Sequence, residues 1–475
     1  MEKREYDSIV VGSGPNGLAA AIRMQQKGLD VLLIEGEDTL GGGMRTKELT
    51  LPGFRHDVCS AIHPLAVSSP FLKTLPLDKF GLEWMYPKVL AAHPFDDGTA
   101  SCLYRSIDET AGELGLDEKA YRSLIQPIVR DWENLAVDFL APLGIPQNPV
   151  SFTKFGIKAL RSANGLARSI FKTEKAKGLW AGMAAHSIQP LDKLTTSAVA
   201  LVLLASGHHG SWPVPKLGSQ SIADSMSAYF ESLGGEIQTG LYVRHLKDLP
   251  KAKAYLFDIT PKQLMEIAGE EFSRLYRWQL SRFNYGMGVF KIDWALKEAI
   301  PFSAQKARLA GTVHLGNTLS EIAKSEKEIW EGKHPNHPYV LLAQQSIIDK
   351  SRAPGGNHTA WAYCHVPHGS RQDMTAIIEA QVERFAPGFR DIIIGKSTMN
   401  AMEMQDYNPN YIGGDINGGA MSITQLFNRP ALRWSPYRTS SKGIYICSSS
   451  TPPGGGVHGM CGFHAAERAI KDLFE

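Results

Sequence analysis

The most ordered hydrophobic pattern in the chain stands near its start. Residues 7–11 form an apolar run of strand length, Gly12-Ser13-Gly14-Pro15-Asn16-Gly17 breaks it, and residues 18–27 read as a helix ended by Gly28. A second apolar run, Val31–Ile34, stops at Glu35. Strand, glycine turn, helix, strand and acid stand in the order a βαβ nucleotide site requires. Gly12 permits the tight turn, Gly14 lets a pyrophosphate reach the backbone, and Gly17 lets helix and strand pack closely. The helix start, with Pro15 and Asn16 in its first turn, offers unpaired N–H groups to an anion. Glu35 is expected to bind ribose hydroxyls, and a free acid there disfavours a 2′-phosphate, which leaves FAD or NAD.

Two further glycine clusters favour FAD. Leu40-Gly41-Gly42-Gly43-Met44-Arg45-Thr46 follows the acid closely, and Gly42 and Gly43 would let backbone approach the far part of a longer cofactor, with Arg45 and Thr46 as fixed polar contacts. Far along the chain, residues 443–447 read as a strand, 451–459 as a turn and 460–474 as a helix. Gly454, Gly456 and Gly459 repeat the glycine spacing, but no strand or acid follows, so this is half a βαβ unit and not an independent NAD site. The helix start near Val457 would place a positive dipole end against the anionic edge of a reduced flavin.

Length and composition set the frame. A chain of 475 residues implies two domains, and 43% hydrophobic with 21% charged residues implies a globular protein, neither disordered nor multi-spanning. A net charge of +2 gives no general attraction to nucleic acid. The five cysteines include no CxxC pair, so neither a zinc ribbon nor a dithiol centre is expected. Residues 1–6 are charged and run straight into the first strand, leaving no signal-peptide core, and the longest apolar run, 198–205, falls short of the roughly 20 residues of a membrane helix. A cytoplasmic location is expected.

The three motifs together, Gly12-x-Gly14-x-x-Gly17, Gly41-Gly-Gly-Met-Arg-Thr46 and Pro453-Gly-Gly-Gly-Val-His-Gly459, resemble the phytoene desaturase-like flavoprotein family nearly end to end. The stretches 51–64, 411–419 and 457–460 look like its branch containing pyridine nucleotide-disulphide oxidoreductase-domain-containing protein 2 and the monooxygenase-type carotene ketolases. The resemblance implies an α/β fold: a glutathione reductase-like Rossmann FAD domain (1–75, 206–282 and 426–475) interleaved with an α+β substrate domain (76–205 and 283–425). It also implies that Val243, on a strand expected around residues 242–243, and Thr260 meet the cofactor, together with Gly455, Gly456, Val457, His458 and Gly459.

The chemistry implied is hydride transfer between an apolar, unsaturated substrate (isoprenoid, carotenoid or lipid-like) and flavin N5, reoxidised by quinone or O2. Carotene ketolase-like oxygenation and a non-catalytic flavoprotein are the alternatives. His63 and His458 are the candidate bases, since both lie in family-like motifs and histidine titrates near neutrality. Asp415, between glycine pairs, reads as a turn carboxylate or a site residue. Cys364, His365 and His368 lack a further ligand nearby, so no metal is expected. Residues 154–180 interleave lysines and arginines with Phe155, Ile157, Leu160, Leu166, Ile170 and Phe171, a pattern that would cover a core or rest on an anionic membrane surface. Strands are expected near 289–292, 339–343 and 359–365, forming a sheet over the flavin.

Overall fold

Strands buried on both faces read as continuous apolar runs, and such strands here build a parallel sheet. In the computed structural model, which describes residues 4–475, its order is Ile444–Ile446, Ala252–Phe257, Tyr6–Val11, Val31–Ile34, Glu236–Gln238. Every neighbouring pair is parallel. Met1–Lys3, part of the charged leader, lie outside the described residues. The helix Pro15–Gln26 begins with proline at its first position and buries Leu18 through Ile22 completely against the sheet. On its other side lies Met460–Leu473, and the two helices touch backbone to backbone: a Cβ on Gly462 would stand 1.8 Å from Asn16 O.

A second, seven-stranded sheet runs Ile393–Met399, Gly288–Leu296, His358–Val366, Val340–Ala343, Ala310–Leu315, Val89–Pro94, Ala100–Leu103. It is antiparallel except where Ala310–Leu315 meets Val89–Pro94. The three expected strands all belong to it. Gly288–Leu296 is buried along its whole length, which places Lys291 and Asp293 in the interior, paired with each other. A lone buried charge would be very costly, so the pairing is what makes the strand tenable.

Helices fill the stretch between 107 and 210, among them Pro149–Ala159, Ala163–Ile170, Glu174–Ala185 and Thr196–Gly210. Of the apolar residues interleaved with lysine and arginine, Phe155, Leu166 and Phe171 pack inward. Only Ile157 and Leu160 stand exposed, at 66% and 47%. One strand expectation fails. Residues 241–243 form irregular chain, pinned when Leu241 N donates to Glu35 O at 3.0 Å, and the strand next to Val31–Ile34 is Glu236–Gln238 instead.

Candidate active site

The carboxyl end of Tyr6–Val11 is the switch point of the parallel sheet: Val31–Ile34 leaves to one side and Ala252–Phe257 lies on the other. Ligands in open α/β sheets bind in such a crevice. Gly12 turns there with φ of +99°, and a Cβ on Gly17 would stand 1.9 Å from Gly12 O, so only glycine lets the helix start so close to the strand. From this crevice a single cavity of about 650 Å³ runs into the interior. Its first part is bordered by Gly12, Gly14, Pro15, Asn16 and Glu35, then by Gly42, Gly43 and Arg45, and by Val243, Thr260, Gly456 and Val457. Its far part is bordered by Ile62, Leu203, Trp212, Leu341, Trp361 and Tyr363.

Glu35 is held on both oxygens. Oε2 accepts from Ser13 N at 3.0 Å and from the Ser13 hydroxyl, and Oε1 accepts from Glu37 N at 3.0 Å and Arg45 Nη2 at 3.3 Å. Arg45 also donates to Thr39 O, so this buried pair fastens the Gly42-Gly43 loop to the end of the second strand. These bonds fix the orientation of the acid.

Five of the expected contacts do not border the cavity. Gly17 N donates to Asp258 Oδ2 at 2.8 Å. Thr46 Oγ1 donates to Asp57 Oδ1 at 2.7 Å and accepts from Gln220 N, which ties the loop to a buried Asp57–Arg352 pair instead. Gly455 packs on Asn417, and Gly459 on Ala19. His458 lies off the cavity wall, with its Nδ1 accepting from Met460 N at 3.0 Å; the first N–H of the Met460–Leu473 helix is therefore spent on that ring. Burial lowers the His458 pKa to about 4.

His63 does border the cavity. Ser219 Oγ donates its only proton to Ser60 O at 2.7 Å, so His63 Nε2–H must donate to Ser219 Oγ at 2.8 Å. The ring is thereby fixed with a bare, unpartnered Nδ1. Burial holds it neutral, with its pKa lowered to about 4. Asp415 is a turn carboxylate: it accepts from the backbone N–H of Gly286, Asn417 and Gly419, and burial raises its pKa. Cys364, His365 and His368 diverge, with His365 paired to Glu326 at 2.8 Å and His368 bonded to Gly286 O. No metal-binding cluster occurs among the described residues.

Sequence reasoning missed Asp258. It follows Ala252–Phe257, is buried against Gly12, Gly14 and Gly17, and has its pKa raised by burial to about 7. It also missed Trp361 and Tyr363, stacked at 5.7 Å, although their alternation along one strand was a readable signal for one face. His186 and Thr312 on the same wall carried no such signal.

Residues 10–74 match the NAD(P)-binding Rossmann-like domain family. Pyridine nucleotide-disulfide oxidoreductase domain-containing protein 2 of Mus musculus is 24% identical, over 99% of this chain and 94% of its own. The 4,4'-diapolycopen-4-al dehydrogenase of Metabacillus indicus is 24% identical over 94% and 93%, and the lycopene-forming phytoene desaturase of a Paracoccus species 24% over 96% and 95%. Among solved structures, an oxidoreductase from Methanosarcina mazei superimposes with a TM-score of 0.67 at 13% identity, covering 98% of this chain and all of its own. The chain is thus a homologue, along nearly its whole length, of these oxidoreductases, with a Rossmann-like nucleotide segment at residues 10–74.

Proposed function

We infer that the protein is an FAD-dependent oxidoreductase that moves hydride between an apolar, unsaturated small molecule and the flavin. The observation that carries this reading is the continuity of the cavity: a nucleotide crevice opens into a chamber walled by Leu203, Trp212, Leu341 and Trp361. Pockets that combine apolar walls with a few placed polar groups are the usual form of small-molecule sites. The crevice fits the dinucleotide. Gly42 and Gly14 meet as bare backbone, where a Cβ on Gly42 would stand 3.1 Å from Gly14 Cα, and the buried Asn16 Oδ1 is left without a partner. When bound, FAD supplies a hydride acceptor at N5.

The chain's own residues bind, orient and exclude water. Glu35 is placed for ribose hydroxyls, and the start of Pro15–Gln26 for the pyrophosphate. The aromatic wall keeps the chamber dry and aligns a flat, conjugated substrate. His63, which borders the cavity, is assigned as the base that would take a proton leaving the substrate. The desaturase and dehydrogenase names among the homologues support action on C–C or C=C bonds. Quinone or O2 is the acceptor class proposed, a cytoplasmic location is proposed, and the basic stretch 154–180 is proposed to touch anionic membrane. Among the described residues no helix is long and apolar enough to cross a bilayer.

The absorbance spectrum of the purified protein, with mass spectrometry of what denaturation releases, tests the reading. A flavin spectrum, released FAD and anaerobic bleaching by a polyene are expected. A protein that cannot be reconstituted with FAD refutes it, and incorporation of oxygen from O2 into product would move the assignment to oxygenation.

A further inference from the structure

Two polar groups on the wall of the apolar chamber are unexplained by hydride transfer. Thr312 is 1% exposed and borders the cavity, and its buried Oγ1 has no hydrogen-bond partner. His186 also borders the cavity, and its Nε2 lies 2.9 Å from the Nε2 of His314. Thr312 and His314 are alternate residues of one strand, so they share a face, and the histidine pair and the threonine form one polar patch. Buried polar groups are nearly always paired, and groups left open on a cavity wall point to what the cavity holds.

The His186–His314 contact decides which atom is offered. Burial pushes both pKa values down, that of His186 to about 3, so both rings are neutral at pH 7 and each carries one N–H. One of the two must donate across the 2.9 Å contact. If His186 donated, His314 would carry its proton on Nδ1. That atom is sealed in the core without a partner, against Gly182, where a Cβ would stand 2.7 Å from it. An orphaned buried N–H is the rarer and costlier defect, so the proton belongs on His314 Nε2 and His314 Nδ1 is the bare lone pair. His186 Nε2 then accepts, and its own proton must sit on Nδ1, the ring nitrogen that has no partner among the described residues. His63 on the same cavity is fixed the other way, as an acceptor.

We propose that His186, oriented by His314, donates a hydrogen bond from Nδ1 to a carbonyl oxygen on an otherwise apolar substrate. The substrate class is therefore an apolar aldehyde or ketone and not a plain hydrocarbon, which rests on reading the chamber as the substrate site.

The test uses the purified holoenzyme and two matched probes, farnesal and the hydrocarbon farnesene, in calorimetric titrations. Farnesal is expected to bind about tenfold more tightly. His186→Phe is expected to erase that preference while farnesene affinity stays within about twofold. On wild type, the Raman C=O stretch of bound farnesal should fall below its value in hexane, and 15N shifts of labelled histidine should show His186 protonated on Nδ1. These two measurements hold even if the variant does not fold. Equal affinity for the probes, no binding of farnesal, an unshifted stretch or a bare Nδ1 overturns the proposal. The two readings separate cleanly: a protein without flavin that still prefers farnesal loses the redox assignment alone, and a flavoprotein bleached by polyenes without the preference loses the subsite alone.

Discussion

Asp258 gives the most quantitative handle on the nucleotide crevice. Its carboxyl is buried among the glycines of the first turn, and burial is the main cause that moves its pKa from 3.8 to about 7, opposed by the N–H of Gly17 and aided by Glu35. An acid whose folded pKa lies above its unfolded one binds more protons folded than unfolded between the two values. Folding stability therefore falls as pH rises from about 4 to about 7 and is level beyond. At about 1.4 kcal/mol for each tenfold change in proton affinity, the ionised carboxylate costs the folded state about 4 kcal/mol above neutrality. Asp258→Asn removes the charge and keeps an oxygen for Gly17 N, and the charge-assisted bond it gives up is already contained in the shifted pKa. The net gain at pH 8 is thus about 4 kcal/mol, against about 1.6 kcal/mol at pH 5, where the folded acid is protonated but the unfolded one is mostly ionised. Urea denaturation of the apoprotein at both pH values measures this directly. The same variant should hold FAD more tightly at pH 8, read by flavin fluorescence, since a buried anion no longer faces the pyrophosphate. A variant whose advantage is the same at pH 5 and pH 8 would refute the reasoning.

Other consequences follow from the same geometry. Gly17→Ala puts a methyl 1.9 Å from Gly12 O, a backbone clash expected to cost about 4 kcal/mol or more and to yield colourless protein, checked by urea denaturation and absorbance. Glu35→Ala strands the buried Arg45 and should destabilise by about 3 kcal/mol, whereas Glu35→Ala with Arg45→Met should recover most of that loss in the same assay. Burial holds His63 and His458 near pKa 4, so single-turnover flavin reduction should show no histidine inflection between pH 5 and 8 and should decline only toward pH 4. Replacing Lys154, Lys158 and Arg161 with glutamate should abolish flotation with anionic liposomes; wild-type protein that fails to float refutes membrane contact through this stretch.

What the sequence made legible was what short range decides. The turn at Gly12–Gly17 and the acid at Glu35 act within one βαβ unit, and their spacing shows the geometry. The irregular chain at 241–243 was not legible, because an isolated pair such as Tyr242-Val243 has strand propensity while the residues leading into it, Gly240 and Leu241, donate their N–H groups to Glu37 O and Glu35 O. Asp258 matters only because parallel pairing brings it to Gly17, 241 residues earlier. His186 depends on a ring 128 residues away. His458 was legible as part of a motif but not as a helix cap, since a motif shows which residues gather and not which atom faces the ligand. In 154–180 the charge pattern was plain, yet Phe155, Leu166 and Phe171 already had a core to join.

The contact of Gly462 with Asn16 carries a consequence for biosynthesis. Asn16 Nδ2 also donates to Ser449 Oγ across 433 residues, so the first helix of the nucleotide crevice, which packs on Gln220–Ser232 as well, is not fully covered until the polypeptide has been made past residue 460. Until then the face of that helix that meets Gly462 stays open, and such nonlocal pairing is slow and exposed to aggregation. Cofactor capture is then an event after translation, and the yield of active protein in a cell should track chaperone supply during synthesis and flavin supply only after it.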